Sequence, residues 1–493
     1  MRLPIVVLLI LLCFPTAVSQ SKPIVEERAN LGLHIVDDSI RRHKYIESKN
    51  QLLLIGQRHL QLLDVTNFKV IDTRPINLPY SDLRGDYNQN DWTISPDGSR
   101  MALLGLNEGR TKTKTENTQT AWVIDLLTEK RIAWLNHPDR IRSATWSKNG
   151  KTLMTMDVAG VNLFTRTLNV SFWDGETFEY RHGITIENVT WIYLSNDGER
   201  FFAASGKSKN LLGIKYVADS DSFVRIWKTR TGELEKTISA ADPKFHFKTR
   251  DIEISPDEQF LLMVKKHKSV SSEHRLLVWE INGGVNPKYE LRPQPKIDDS
   301  RVEFSPNGKY FALDVGKNLQ IYETETGKMK VELTKVELPS WGWLDDQTLA
   351  SVDYKPKNLI KAGKVLKAFD ANDGHLLFTQ RLAYEVLETY DLSYSEINTD
   401  PSVIVLDDTT LRPHPSRRIF LTSSNQFARI FDSLTGELLQ TVVEPPLRFD
   451  LMGKPKITKG NMVSSADWSK DGRALYVFSA NHRSVSLWQL VGN

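Results

Sequence analysis

Two glutamates are candidates for a metal site. Glu253 and Glu303 each lie two residues before a Ser-Pro turn, in neighbouring segments of the chain. The corresponding positions before other such turns hold Thr93, Thr145, Tyr193 and Asp467. Carboxylate oxygens are the ligands that a hard cation such as Ca²⁺ prefers, so two adjacent segments could share one ion. The alternative is that both side chains are solvated or pair with Lys or Arg, and no other cofactor is predicted.

Familiar catalytic signatures are absent from the sequence. There is no Gly-x-Ser-x-Gly elbow, no His-Glu-x-x-His helix and no phosphate-binding Gly-x-x-x-x-Gly-Lys loop. The eleven histidines do not recur at a fixed position, which argues against a ring of histidine ligands. The residues therefore favour a binding protein over an enzyme.

Lysines cluster in the segments that separate successive apolar runs. The clustered lysines that we consider binding candidates are Lys112, Lys114, Lys207, Lys209, Lys265, Lys266, Lys268, Lys355, Lys357, Lys361 and Lys364. These segments are strongly basic, whereas the whole chain of 493 residues has a formal charge of only +3. Such a distribution predicts a basic face that attracts an acidic protein or polymer. The alternative is solvated loops, and the acidic segment 381–408, which should join the same face, favours that alternative.

Composition narrows the class of protein. With 40% hydrophobic and 25% charged residues, the chain is globular rather than disordered or collagen-like. Its near-neutral charge argues against a general polyanion binder.

The first residues resemble an export signal. Arg2 precedes an apolar run from Ile5 to Phe14, and Ala17-Val18-Ser19 has the small residues that signal peptidase accepts. We therefore expect a signal peptide over residues 1–19 and a periplasmic or extracellular protein over 20–493, which disfavours nucleic acid as a partner. The single cysteine, Cys13, lies within this leader, so the mature chain would have no disulfide.

Internal repetition is the strongest signal in the sequence. A Ser-x-Asp/Asn turn, usually completed by Gly, joins two apolar runs at Ser95, Ser147, Ser195, Ser255, Ser305 and Ser469. An alternating strand follows each turn, and nine such strands end at Leu63, Ile124, Trp173, Trp227, Trp279, Tyr322, Phe369, Phe431 and Trp488. Their mean separation of about 53 residues suits a four-stranded propeller blade.

These residues resemble the WD-repeat and TolB-like β-propeller families. The resemblance covers roughly residues 31–490 and rests on the Ser-Pro-Asp-Gly turns, on strands such as Val224-Arg225-Ile226-Trp227, and on Thr-Gly turns that follow. Trp-Asp occurs only at Trp173-Asp174, and the Gly-His pair of eukaryotic repeats is missing. The resemblance therefore implies bacterial-style blades without the buried His-Ser-Trp network of eukaryotic repeats.

The prediction is an all-β protein with a single propeller of about eight or nine four-stranded blades. An early strand at Leu31 to Val36 is expected to complete the last blade and close the ring, because closure removes a free sheet edge. Residues 381–408 are predicted to be an inserted segment. The favoured function is a non-catalytic, exported scaffold that binds a protein or acidic polymer. The alternative is a propeller enzyme, lactonase-like or quinoprotein-like, with a site at the channel mouth.

Overall fold

The computed structural model describes 24 parts of the chain. They are residues 25–32, 42–56, 59–75, 92–104, 120–128, 130–137, 141–161, 166–211, 214–239, 245–246, 252–267, 274–292, 302–315, 318–334, 336, 341–356, 362–384, 404–406, 409–423, 428–443, 447–449, 455–457, 463–479 and 484–491. The predicted signal peptide lies outside these residues.

The described residues form β-strands almost throughout, with one 3-10 turn at Glu47–Lys49. Strand β1 (Val25–Gly32) comes first. Blade 1 then contains β2 (Arg42–Ile46), β3 (Gln51–Ile55), β4 (His59–Asp64) and β5 (Lys69–Pro75); blade 2 contains β6 (Trp92–Ile94), β7 (Arg100–Leu104), β8 (Thr120–Asp125) and β9 (Arg131–Asn136). Blade 3 contains β10 (Ile141–Trp146), β11 (Thr152–Val161), β12 (Arg166–Asp174) and β13 (Tyr180–Glu187). Blade 4 contains β14 (Val189–Leu194), β15 (Arg200–Leu211), β16 (Ile214–Lys228) and β17 (Leu234–Ser239).

The remaining strands continue the same order. Blade 5 contains β18 (Phe245–His246), β19 (Ile252–Ile254), β20 (Phe260–His267), β21 (His274–Glu280) and β22 (Tyr289–Leu291). Blade 6 contains β23 (Val302–Phe304), β24 (Tyr310–Val315), β25 (Asn318–Glu323) and β26 (Met329–Leu333); blade 7 contains β27 (Trp341–Trp343), β28 (Thr348–Pro356), β29 (Ala362–Asp370) and β30 (Leu376–Tyr384). Blade 8 contains β31 (Ile404–Leu406), β32 (Thr409–Pro413), β33 (Ile419–Ser423), β34 (Ala428–Asp432) and β35 (Leu438–Val443). A separate hairpin, β36 (Leu447–Phe449) and β37 (Pro455–Ile457), precedes β38 (Val463–Trp468), β39 (Ala474–Ser479) and β40 (Ser484–Leu490) of blade 9.

Apolar packing between blades makes the ring. Nine buried clusters fill the spaces between blades, one for each consecutive pair. Trp279 of blade 5 and Ile226 of blade 4, for example, belong to one such cluster. The cluster that joins Leu52 of blade 1 to Leu487 of blade 9 completes the circle. Since each sheet buries both faces against its neighbours, the protein is a nine-bladed β-propeller, as predicted.

The first strand closes the ring, as expected, although its position differs. β1 pairs with β40 from Val25 opposite Leu490 to Gly32 opposite Ser484. The side-chain amide of Gln440 in blade 8 also donates to the Val25 carbonyl (2.9 Å) and accepts from its N–H (2.8 Å). These contacts place the closing strand six residues earlier than the apolar run Leu31 to Val36 suggested.

The Ser turns have a common hydrogen-bonding pattern. The Ser95 hydroxyl donates to Asp97 (2.5 Å) and accepts from the Arg100 N–H (3.0 Å), which fixes the start of β7. Gly98 has a φ of +70°, a conformation that Gly adopts without strain. At the equivalent place in blade 5 the residue is Glu258, with a φ of +57°.

The expectation that no His-Ser-Trp type of network is present is wrong for blade 3. His137, just before β10, contacts Asp157 through Nδ1 (2.9 Å) and Thr155 through Nε2 (2.5 Å). The indole N–H of Trp173 donates to the same Thr155 hydroxyl (2.7 Å), and Asn169 donates to Asp157 (2.7 Å). Asn136 replaces the Gly of the Gly-His pair, so the sequence pattern does not identify His137, although His137 occupies the position of the repeat histidine.

The predicted inserted segment 381–408 is described only at its ends. Strand β30 continues through Tyr384, and β31 begins at Ile404. The residues between them, and residues 407–408, lie outside the described residues.

Candidate functional site

The two ends of the ring differ in the connections that they carry. Turns between first and second strands and between third and fourth strands lie at one end, here called the turn face. In blade 4 the two kinds of turn touch, because the Thr229 hydroxyl donates to the Gly198 carbonyl (2.5 Å). Hairpins between second and third strands and the connections between blades lie at the other end, here called the loop face.

Three hairpins extend the loop face. The longest consists of β15 and β16 in blade 4, whose ladder continues to Leu211 opposite Ile214. Between Ser205 and Lys207 the register shifts, so that residues 219–222 have no partners in the opposite strand. With a rise of about 3.3 Å per residue, the five residue pairs beyond this irregularity extend roughly 15 Å. The other long hairpins are β11–β12 in blade 3 and β28–β29 in blade 7.

Several of the predicted basic residues lie on these hairpins. Lys207 and Lys209 pair with Ala218 and Tyr216, and Lys355 and Lys364 pair with Gly363 and Tyr354. Lys266 lies in β20 opposite His274. Lys112, Lys114, Lys268, Lys357 and Lys361 lie outside the described residues.

Lys265 does not belong to an exposed basic surface. Its exposed fraction is 2%, and it pairs with Arg275 inside blade 5. The sequence placed it in a loop, but β20 continues to His267. Because its ammonium group is buried and interacts within the chain, Lys265 cannot dock a partner.

The inner strands bring nine residues to one register level around the channel. They are Lys44, Thr93, Thr145, Tyr193, Glu253, Glu303, Gly342, Arg412 and Asp467. Each pairs with a residue at the equivalent position of the second strand of its blade, as Thr93 does with Ala102. Arg412 and Asp467 form an ion pair across blades 8 and 9 (2.8 Å). Blade 8 has an extra strand, β31, which pairs with the inner edge of β32 and therefore lies inside the ring.

The two candidate metal ligands occupy the same level of adjacent blades. Glu253 pairs with Leu262, and Glu303 pairs with Ala312. Both side chains are partly buried, and both already interact with other groups of the chain. In the part of the chain that the structure describes, the one group of three potential metal ligands is a different one, Asp370, Asp373 and His375, in an exposed turn of blade 7.

Two buried histidines have lowered pKa values. Burial lowers the pKa of His137, and the Asp157 carboxylate opposes this effect. Burial also lowers the pKa of His414, which stands in place of the turn serine in blade 8. His414 Nδ1 accepts the N–H groups of Ser416 (3.1 Å) and Arg417 (2.9 Å), and Nε2 lies 2.8 Å from the Gly472 carbonyl in blade 9. Both nitrogens of each ring are thus engaged by groups of the chain, and both histidines act as structural links.

Comparison with known proteins finds similarity in fold alone. No protein-family model matches the chain, and no curated protein matches it. The chain is similar to a solved structure described as the crystal structure of the eukaryotic initiation factor, with 14% identity, a TM-score of 0.51, and coverage of 88% of this chain and 94% of that one. The C-terminal WD40 domain of Sif2 is also similar, with 11% identity, a TM-score of 0.42, and coverage of 95% and 99%.

The described residues contain no helix with the length and apolar character needed to cross a membrane.

Proposed function

We propose that this protein is an exported, non-catalytic scaffold that binds a protein or an acidic polymer through its loop face. The observation that carries the proposal is the long hairpin of blade 4, which holds Lys207 and Lys209 beyond the packed part of the sheet. A rigid ring that presents long loops is a common support for binding sites.

Charge supplies the attraction in this proposal. Lys207, Lys209 and Lys215 lie in one hairpin, and Lys355 and Lys364 lie in another. A cluster of cations raises the association rate with an anionic partner, and the effect weakens once salt shortens the screening length to about 8 Å at physiological ionic strength. Binding should therefore decrease steeply with added salt.

The test compares equal charge changes on the two faces. We would replace Lys207, Lys209 and Lys215 with Ala in one variant, and Lys148, Lys151 and Lys328, which are exposed on the turn face, in the other. Both variants lose three positive charges, and immobilised poly-glutamate is the probe. The proposal expects the first variant alone to elute at lower salt than the wild type. Equal elution of the two variants would show that the loop face has no special role.

Export is the second part of the proposal. The leader with Ala17-Val18-Ser19 supports it, and cleavage there would leave five residues before β1. N-terminal sequencing of protein recovered outside the cytoplasm should begin at Gln20. Recovery of the intact chain from the cytoplasm would contradict export.

A further inference from the structure

One blade departs from the others at its outer rim. The third strand of each blade ends at one of the nine apolar residues predicted from the sequence, such as Ile124 in blade 2. The residue two positions before that strand end pairs with a residue of the outer strand. In eight blades the outer residue is Thr, Glu, Asn or Gly, namely Thr73, Gly183, Thr237, Glu290, Glu332, Thr379, Thr441 and Asn30. In blade 2 the pair is Trp122 with Trp134. The repeat therefore does not need an aromatic residue at this place.

The polar pairs elsewhere show what the fold requires there. In blade 1 the Gln61 amide donates to Thr73 (2.9 Å), and in blade 6 the Gln320 amide donates to Glu332 (3.2 Å). In these two blades a side-chain hydrogen bond joins the two strands at the rim. In blade 2 the outer residue, Trp134, instead adds exposed apolar surface above the buried Trp122.

The aromatic pair is exposed and preorganised. Trp134 is 51% exposed, while Trp122 beneath it is 5% exposed. Their rings meet edge to face with centroids 5.3 Å apart, and the Arg131 guanidinium lies 3.9 Å from the centroid of Trp134 and 4.4 Å from that of Trp122. Ile132, 44% exposed, extends this apolar surface. We call Trp122, Arg131, Ile132 and Trp134 the blade 2 rim site. Trp and Arg are enriched in binding hot spots.

The backbone of β9 offers a second means of recognition. The strand order of blade 2 is β6-β7-β8-β9, so β9 is the outermost strand of this described sheet. The outer edge of such a strand presents N–H and C=O groups that an extended segment can pair with.

Charge indicates the kind of segment. Lys130 is exposed immediately before β9, and Arg131 begins the strand. In the turn before β9, Asp125 accepts the N–H groups of Leu127 (3.0 Å) and Thr128 (2.7 Å), and Arg131 also interacts with another group of the chain. A second copy of this chain would bring the same cations to the contact, which disfavours self-association.

We infer that the blade 2 rim site binds an extended segment of a partner protein that carries aliphatic side chains flanked by acidic residues. The segment adds to the outer edge of β9, its aliphatic side chains cover Trp134 and Ile132, and its acidic residues face Lys130 and Arg131. This inference rests on the proposed partner-binding function, but it uses a surface separate from the lysine hairpins.

The probe is a fluorescein-labelled ten-residue peptide with a Val-Ile-Val centre and Glu residues on both sides, followed by fluorescence anisotropy. Trp134→Thr introduces the residue found at four equivalent positions, and Ile132→Thr is a second variant. The control is Leu234→Thr, which removes a 47% exposed apolar residue from the outer strand of blade 4. We expect binding at least tenfold weaker for Trp134→Thr, weaker binding for Ile132→Thr, and wild-type binding for the control.

Two results would overturn the inference. One is the absence of peptide binding by the wild-type protein, or an affinity of Trp134→Thr for the peptide that equals that of the wild type. The other is a dimer, seen by sedimentation, that Trp134→Thr dissociates. The variant lacking Lys207, Lys209 and Lys215 separates the two proposals, because it should lose poly-glutamate binding while retaining peptide binding.

Discussion

Replacement of His137 with Ala should destabilise the ring measurably. The imidazole joins blades 2 and 3, and its lowered pKa makes it neutral at pH 7, so Nδ1–H donates to Asp157 and Nε2 accepts from the Thr155 hydroxyl. A hydrogen bond to a charged group contributes about 1.5–3 kcal/mol and a neutral one about 1 kcal/mol, so the loss should be about 3 kcal/mol. Asp157 has no exposed surface, and it would retain only Asn169 among these partners.

Thermal unfolding measures this loss. At roughly 2.1 cal/mol/K per residue, a chain of this length has an unfolding entropy near 1 kcal/mol/K, so Tm should fall by about 3 °C. The control is His375→Ala, since His375 is exposed and should shift Tm by less than about 0.5 °C. Equal Tm values for His137→Ala and His375→Ala would refute the assignment of His137 as a structural link between blades.

Two further predictions concern the turn face. Burial lowers the pKa of His414 in the folded protein. Below pH 6.5 the unfolded chain therefore binds more protons at this residue than the folded chain does. Acidification should then reduce the free energy of unfolding by about 1.4 kcal/mol per pH unit until the pH reaches the pKa of the folded state. His414→Ser should remove that part of the decrease in melts between pH 7.5 and 5.5, and an unchanged pH dependence would contradict the role. Glu258→Gly should relieve about 1 kcal/mol of backbone strain but lose the bonds that its carboxylate accepts from Tyr193 Oη (2.7 Å) and the Asn196 N–H (2.6 Å). At about 1.5–3 kcal/mol for each bond to a charged group, the net loss in urea unfolding should be about 2–5 kcal/mol. A Glu258→Gly variant more stable than the wild type would show that strain dominates.

Much of the fold follows from local sequence. A turn such as Ser95 to Gly98 is specified within six residues, because the serine hydroxyl bonds to Asp97 and to the Arg100 N–H. The strand-end residues, such as Trp279, mark the third strands because they must fill the space between sheets. Nine such residues correspond to nine blades. The bounds of the closing strand were less predictable, because Gln440 and β40, more than 400 residues away, select Val25 as its start.

The site was harder to predict, for reasons that individual residues show. Lys265 looked like a loop residue because charge follows the apolar run of β20, yet the strand continues beyond it. His137 was missed because its partners Thr155 and Asp157 lie 18 and 20 residues later, in the next blade. Trp134 becomes unusual only when the nine blades are aligned by strand register, which a single sequence does not provide.

The central claim is that nine blades form a ring closed by β1. A disulfide tests it directly: Glu26→Cys with Gln489→Cys joins residues that pair across β1 and β40, in a Cys13→Ser background. The control combines Gln489→Cys with Thr237→Cys in blade 4. The account predicts that the first pair oxidises to an intramolecular disulfide and raises Tm, with a stabilisation of up to about 6 kcal/mol for so long a loop, whereas the control remains reduced. Oxidation of both pairs, or of neither, would contradict a ring closed by the first strand.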